Sequence, residues 1–492
     1  MNGTGSSSTN CSGIPLSVPG ILSKSFYDYL LELLDNGVHK DDMIRHGALQ
    51  HRVSYLSDLC DWLQKQGYFV GSLQVLFSTT PIHAAEVRKL LSISQIEKIL
   101  LTFEAETRSQ CSSDLWKILR RYLLTASKIR FIVGSESMSF SQKDFFETNE
   151  SNVHSNPIVF GTTNESCARL LTVAYYIGWD YLSSIPKSDD YFDFHDCVTN
   201  EDELFTCGLL MDIQTGHIGA SIDMLVCPRE RETGRLMITG SDIALFEIKC
   251  RYKYKFSLAI PNPLKSGYET LLKEPNEINL MKFLYSVKTP GIEYFDPNGV
   301  PSATEALVTC DPLWTHGVHK KRKCSLEIEK RHLTLNKNIR STAFLFALPD
   351  LGAKEISLVE WSPGKKSISI PVFVNPRHQN FRQVFIQTYV ISGYRTNSIR
   401  PHLVTFFGRD RYGGEIGERF RITDCIPGFT DDPPELRLTH AIPILLLITP
   451  INIDPFYYAH LASLGKDAFE TIVNQVWDNV KHAAVSPERN SH

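Results

Sequence analysis

Two short segments, Gly219–Cys227 (GASIDMLVC) and Ala244–Phe256 (ALFEIKCRYKYKF), carry the residue types that hydrolytic chemistry needs. On a strand, alternate residues share a face, so Glu247 and Lys249 point one way while Phe246 and Ile248 point into packing. Asp223 precedes Glu247 by 24 positions, enough for a turn and a return to the neighbouring position. Two carboxylates at adjacent strand ends offer hard oxygen ligands suited to one or two Mg²⁺ or Mn²⁺ ions. A lysine two residues on can orient or help deprotonate an attacking water, which completes the minimum for metal-assisted phosphodiester hydrolysis. Roughly one Glu-x-Lys triplet is expected by chance in a chain of this length, so alone the triplet describes a solvated strand face. Its setting changes the reading. Both segments are mostly apolar, and carboxylates carried into a core are costly without a cation. Lys249, Arg251, Lys253 and Lys255 continue on the parity of Glu247, a basic stripe of the kind a phosphate backbone would track.

These segments need a sheet to carry them and helices to cover it. Apolar periodicity predicts helices over 25–36, 49–66, 82–104 and 113–126, then one over 164–182 capped by Thr163 or Asn164. Residues 135–160 read as a connecting loop. Strand patterns follow at 204–212, 217–227 and 242–256, the first two joined by the turn-like QTGH. Next come a helix over 277–288, a polar, Pro-rich stretch over 289–340, and strands at 342–348, 356–361 and 368–374. Helix 379–392, strands 402–409, 418–424 and 440–449, and an amphipathic helix over 466–482 complete the chain. The expected fold class is α/β, or mixed α+β: helices around a central sheet with one antiparallel run.

Composition narrows the function classes. With 492 residues, 42% hydrophobic and 22% charged, the chain reads as globular, with two to three domains' worth of sequence. Its 51 basic and 55 acidic residues nearly cancel, so any polyanion must meet a local patch rather than a global field. The 11 cysteines include no C-x-x-C pair, which argues against a disulfide framework or zinc site and for a reducing compartment. The longest apolar stretch, Ala441–Ile453, is broken by Pro443 and Pro450, so no membrane span is expected. The polar N-terminus lacks the pattern of a signal peptide, and residues 1–20 are expected to form a disordered tail.

GASIDMLV together with FEIKCRYKY resembles the herpesvirus alkaline nucleases, whose PD-(D/E)XK fold is shared with phage lambda exonuclease. The proline–aspartate pair of the fold's name is absent here; the aspartate lies in Ser221-Ile222-Asp223. The resemblance covers roughly 112–410, and the modest length is similar to that of the gammaherpesvirus members, the shutoff-and-exonuclease type that also degrades messenger RNA. It implies a PD-(D/E)XK core sheet flanked by helices over 161–425, with insertions. A helical N-terminal region over 21–134, including a 5′-phosphate pocket helix, would precede this core. A C-terminal strand and helix over 426–492 would follow it.

The resemblance also implies roles for single residues. In Trp116–Ser127 the W-x3-R and R-x6-S spacings resemble the lambda-type 5′-phosphate pocket, with Arg120 forking onto phosphate oxygens and Ser127 donating a hydrogen bond. Taken alone, the segment is an amphipathic helix with Arg120 on its wet face. Phe160–Glu165 resembles the family's helix-borne first glutamate, which adds Glu165 to Asp223 and Glu247 as a metal ligand, directly or through water. A first-turn glutamate is also what the helix dipole alone would favour. A glutamine following E-x-K often contacts the site in lambda-type nucleases; Gln383 and Gln387 share one helical face, and both stay open. Ser221, Arg251 and Lys253 are implied nucleic-acid contacts. Arg377, Arg382, Arg409 and Arg411 could line a channel or solvate the surface. The run His319–Lys323 (HKKRK) reads as a nuclear localisation signal, a nucleic-acid contact or plain solvent-facing charge. Together these imply an enzyme dependent on Mg²⁺, or Mn²⁺ in its place, that resects linear double-stranded DNA from 5′ to 3′. It would serve viral genome processing, recombination and packaging, cut RNA for host shutoff, work in the host nucleus and cytoplasm, and accompany a viral single-stranded-DNA-binding protein. Two rivals stand beside this reading: chiefly an RNA endonuclease, or a non-catalytic recombination scaffold.

Overall fold

The computed structural model describes residues 25–65, 91–131, 138–146, 155–177, 205–230, 234–287, 291–296, 299–314, 327–348, 354–425 and 434–485. The expected tail, the basic run His319–Lys323 and the polar stretch Ser183–Glu203 lie outside them. The N-terminal third is helical: α1 (Phe26–Asp35), α2 (Lys40–Lys65), α3 (Ile93–Glu106) and α4 (Asp114–Arg121). Ser25 starts α1 with a capping box, its Oγ accepting from Asp28 N while Asp28 Oδ2 accepts from Ser25 N at 2.9 Å. Helix α2 begins nine residues before the predicted start and breaks at Gly47, whose backbone (φ 78°, ψ 167°) is not helical. Helix α4 stops at Arg121 rather than 126 because the chain peels away to pair elsewhere. Leu124 N donates to His217 O at 2.8 Å and Leu124 O accepts from Gly219 N at 3.1 Å.

The region predicted as a loop, 135–160, holds a short helix at Lys143–Phe146, and its last residues open α5 (Asn156–Tyr175). The helix therefore starts at Ser155, with Pro157 in its first turn, and not at Thr163 or Asn164. Asn164 is instead a buried tie, donating Nδ2 to Phe160 O (2.9 Å) and accepting from Ala441 N (2.7 Å).

A two-stranded hairpin follows, β1 (Leu209–Met211) with β2 (Gly219–Ser221), and then β3 (Met224–Val226) and β4 (Asp242–Cys250). After β4 come α6 (Pro263–Lys273), α7 (Glu277–Leu284), β5 (Ile292–Tyr294), β6 (Leu307–Thr309) and α8 (Glu327–Asn336). Helix α6 went unpredicted, and the stretch 289–340 is structured where it is described; its strands are only three residues long, too short for periodicity to show. Strands β7 (Ser341–Ala347), β8 (Glu355–Leu358), β9 (Ile368–Ile370) and β10 (Phe373–Val374) precede α9 (Gln379–Ser392). The chain ends with β11 (Ser398–Arg409), β12 (Phe420–Ile422), β13 (Glu435–Leu436), β14 (Ile442–Pro450) and α10 (Tyr458–Val485).

The main sheet runs β13-β12-β8-β7-β14-β11-β4-β3, with β9 also on β7. It is mixed: β4 and β11 are parallel, while β14 lies antiparallel to both β11 and β7. Its two faces are covered differently. Phe246, Ile248, Val404, Phe406 and Leu446 pack under α5. Ile243, Leu245, Leu403, Leu445 and Leu447 face the larger core that includes α9, α2 and α10. This is the expected mixed α/β class, with a sheet between helical layers.

The predicted strand 242–256 ends six residues early. Arg251 leaves the extended region (φ −95°, ψ 86°) and Tyr252–Tyr254 form a 3₁₀ turn, so the basic stripe is not a strand face beyond Cys250. Lys253 turns toward Glu305 (3.8 Å) and Lys255 toward Asp410 (2.7 Å).

The hairpin turn is pressed onto α2. Gly216 has φ +67°, and a Cβ there would lie 2.4 Å from Leu49 Cα. Gly240 has φ +74° with nothing within 4 Å. Gly216→Ala is expected to destabilise by about 3 kcal/mol or more, from backbone strain plus overpacking, and Gly240→Ala by about 1 kcal/mol from strain alone. Urea denaturation of the two variants checks this; equal losses would show that the close approach to α2 is not a constraint.

Candidate active site

The chain crosses between two sheets at Ile222-Asp223, leaving the hairpin at Ser221 and joining the main sheet at Met224. Met224 pairs with Phe246 in antiparallel register, so Asp223 falls opposite Glu247 where the ladder ends. Its Oδ2 accepts from Ile248 N at 2.8 Å, a bond that fixes the carboxylate over the end of β4. Glu247 has no solvent exposure. One of its oxygens, Oε1, is in contact with Lys249 Nζ; the other, Oε2, accepts from Gln387 Nε2 at 2.7 Å. The same amide group donates to Ser221 O at 2.9 Å. Of the two glutamines left open by sequence, Gln387 makes the contact; Gln383, one turn earlier on α9, is half-buried and does not contact Glu247.

Lys249 Nζ also stands 3.9 Å from Asp223 Oδ2, so one ammonium serves two carboxylates. Although burial opposes its charge, Glu247 and Asp223 hold Lys249 above the ordinary lysine range. That favours an orienting cation over a proton acceptor. Glu165 lies within α5, in its third turn rather than its first, and meets Arg169 Nη2 at 3.1 Å. This partner was visible in the sequence as an i, i+4 pair. Burial and the Asp223 charge raise Glu165 to about 7, and burial and the same charge raise Glu247 to about 8. Three carboxylates thus converge on too little positive charge.

A metal ion would meet this need. The donor set fits a hard divalent cation, being carboxylate oxygen alone, and Lys249 occupies the position of missing charge. Among the described residues no three ligand-type side chains already stand in a metal-binding arrangement. Glu247 and Asp223 are drawn toward Lys249 instead, and Glu165 toward Arg169.

Helix α4 borders the site from the other side. Trp116 Nε1 donates to Ser221 Oγ at 2.7 Å, and the Arg120 guanidinium lies 4.4 Å from the Trp116 ring. Arg120 is half-buried, and burial lowers its pKa. Ser127 is exposed in the turn beyond α4, its Oγ 3.0 Å from Thr125 Oγ1. Arg251 follows β4 directly, and burial lowers its pKa, with Glu305 and Tyr254 opposing.

Three of the arginines considered for a channel are tied down. Arg377 binds Glu329 (3.0 Å) and Pro301 O (2.6 Å), and Arg409 makes a two-pronged pair with Glu415 at 2.7 and 2.8 Å. Arg411 is spent on the carbonyls of Arg437, His440, Glu415 and Glu418.

Comparison with known proteins gives a consistent answer. A family model described as viral alkaline exonuclease matches residues 28–487. The alkaline nuclease of Psittacid herpesvirus 1 is 40% identical over 486 residues, covering 96% of this chain and 92% of the relative. That of Varicella-zoster virus (strain Dumas) is 36% identical over 447 residues, covering 85% and 80%. The shutoff alkaline exonuclease of Saimiriine herpesvirus 2 is 26% identical over 456 residues, covering 83% and 84%. Among solved structures, the shutoff and exonuclease protein of Kaposi's sarcoma-associated herpesvirus shares the fold, with a TM-score of 0.66 at 20% identity over 94% of this chain and 98% of that one.

The raised carboxylates have a consequence for stability. A carboxyl group that holds its proton more tightly when folded favours the folded state at low pH and loses that advantage as pH rises through its folded pKa. Metal-free protein is therefore expected to lose thermal stability between about pH 5 and pH 8, the window set by Glu165 and Glu247. Asp223→Asn removes the charge acting on both and should flatten the decline. Melting temperatures of the two proteins across that range, in chelator, check it; parallel curves would contradict the shared-charge account.

Proposed function

The chain belongs to the viral alkaline exonuclease family and is a nuclease, and from that premise we propose that it is a Mg²⁺-dependent exonuclease that resects linear double-stranded DNA from its 5′ ends and cuts RNA at the same site. The observation that carries this reading is that Lys249 on β4 meets Glu247 and stands 3.9 Å from Asp223, while Glu165 on α5 is near enough for the Asp223 charge to raise its pKa.

Asp223 and Glu247 would hold the metal from neighbouring strands, and Glu165 would join them from α5. Bound Mg²⁺ (or Mn²⁺) would neutralise charge on the scissile phosphate and acidify the attacking water. Gln387 keeps Glu247 from rotating by holding Oε2 and tying it to the Ser221 carbonyl. The Lys249 ammonium orients the water and offsets negative charge as it develops. Arg120, stacked on Trp116, receives the terminal 5′ phosphate with Ser127, so that the next phosphodiester lies over the carboxylates. Ser221, Arg251 and Lys253 line the path of the strand, with Gln383 further along α9.

RNA enters the reading because solved complexes of the structural neighbour are described as a SOX–DNA complex and a KSHV SOX RNA complex. The biological setting that follows is viral genome processing, recombination and packaging, with messenger RNA decay in host shutoff, in the nucleus and cytoplasm. A viral single-stranded-DNA-binding protein would take up the exposed strand. Among the described residues, no helix is long and apolar enough to cross a membrane.

Asp223→Asn and Glu247→Gln are each expected to lower cleavage by about 100-fold or more, with duplex binding and the circular dichroism spectrum retained. Labelled linear duplex with 5′ phosphates and a structured single-stranded RNA, each with Mg²⁺, are the substrates. Arg120→Ala should impair duplex resection and spare RNA cutting. Unreduced cleavage in both carboxylate variants would sink the assignment.

A further inference from the structure

The last carbonyls of a helix have no partner within it. At the end of α4 two half-hidden or hidden cations reach four in a row, of which Arg120 O also accepts from Leu123 N at 3.2 Å. Lys128 Nζ donates to Arg121 O at 2.6 Å and Leu123 O at 2.9 Å, and reaches Arg120 O at 3.4 Å. Arg52, with no solvent exposure, donates Nη2 to Tyr122 O at 3.1 Å and Nε to Gly216 O at 3.4 Å. Aromatic faces complete both environments: the Arg52 guanidinium lies 3.5 Å from the Phe26 ring and Lys128 Nζ 4.7 Å from that of Phe145.

The arrangement is expensive in charge. Burial, Arg120, Arg52 and Arg121 together push Lys128 down to about 7, against the pull of Asp144. Asp144 is itself engaged with Arg130 at 3.1 Å. A lysine serving only to cap a surface helix would stay in water, where it costs little. Here every N–H of the ammonium is directed at the backbone of Arg120–Leu123, and Arg120 itself supplies one of the acceptors.

We propose that Lys128, backed by Arg52, is a positioning residue that sets the placement of Arg120 for the 5′-terminal phosphate. It rests on the reading of Arg120 given above. Four residues of backbone are locked at one end of α4, while Trp116 Nε1 anchors the body of the helix to Ser221. Arg120 sits between the two anchors, with its side chain on the indole. Releasing the carbonyls frees the last turn, and the guanidinium loses its fixed seat on the Trp116 ring.

The test compares degradation rates of linear duplexes bearing 5′-phosphate or 5′-hydroxyl ends, in the full chain with Mg²⁺. Arg120→Ala probes the underlying reading: a phosphate preference that survives it removes that reading and the proposal with it. Where Arg120→Ala abolishes the preference, Lys128→Met is expected to reduce the phosphate-to-hydroxyl rate ratio by about tenfold or more. Lys128→Arg, which keeps a cation with several donors, should restore most of the ratio. Simple loss of stability lowers both rates together, so an unchanged ratio in Lys128→Met overturns the proposal. If the methionine variant does not fold, Lys128→Ala, which likewise removes every N–H donor, gives the same readout.

Discussion

A carboxylate with no access to water must be satisfied on both oxygens, and Glu247 is such a group at the centre of this molecule. Lys249 takes one oxygen and Gln387 the other. Each partner imposes a condition on the fold. The lysine requires β4 to stay extended through Cys250, which β11 enforces by pairing Thr405 with Lys249 in parallel register. The glutamine requires α9 to lie against one face of that strand, and the apolar side chains beneath α9 hold it there. The neighbouring residues Phe246 and Ile248 face the other way and seat α5, the helix that brings Glu165.

A second linkage connects the carboxylate to helix α4 through very few atoms. Ser221 accepts from Trp116 with its hydroxyl and from Gln387 with its carbonyl. Trp116, Ser221, Gln387 and Glu247 therefore form a continuous chain from α4 to the strand end. The hairpin carrying Ser221 is itself pinned to α2 at Gly216, and the helical N-terminal region thereby becomes part of the site's framework.

Much of this was legible in the sequence wherever chemistry and local pattern coincide. Asp223 and Glu247 stand side by side as expected, although the strand predicted over 217–227 is broken at Ile222-Asp223 into β2 and β3; helix α9 has the predicted bounds 379–392, and alternation correctly sent Phe246 and Ile248 into packing. What escaped was decided by distant parts of the chain. The end of β4 falls where Arg251 N donates to Phe406 O and β11 bulges between Phe407 and Gly408, and local alternation through Lys255 could not show it. The start of α5 was misplaced because Asn164 looks like a cap, while its partner is Ala441, 277 positions away. Gln383 and Gln387 are indistinguishable by type and face; only the packing of α9 on Ser221 separates them. The tied arginines Arg377, Arg409 and Arg411 show the same limit, since their partners are set by tertiary structure.

The place of β14 has a consequence for how the protein is made. This strand, Ile442–Pro450, fills the middle of the main sheet between β7 and β11 although it comes near the end of the chain. During synthesis β7 and β11 present open edges until it arrives. The sheet that carries the carboxylates cannot close until the ribosome has passed residue 450 and released the strand from its exit tunnel. A chain that stops short of Ile442 lacks the strand that joins β7 to β11, and the sheet that carries the carboxylates is left in two halves.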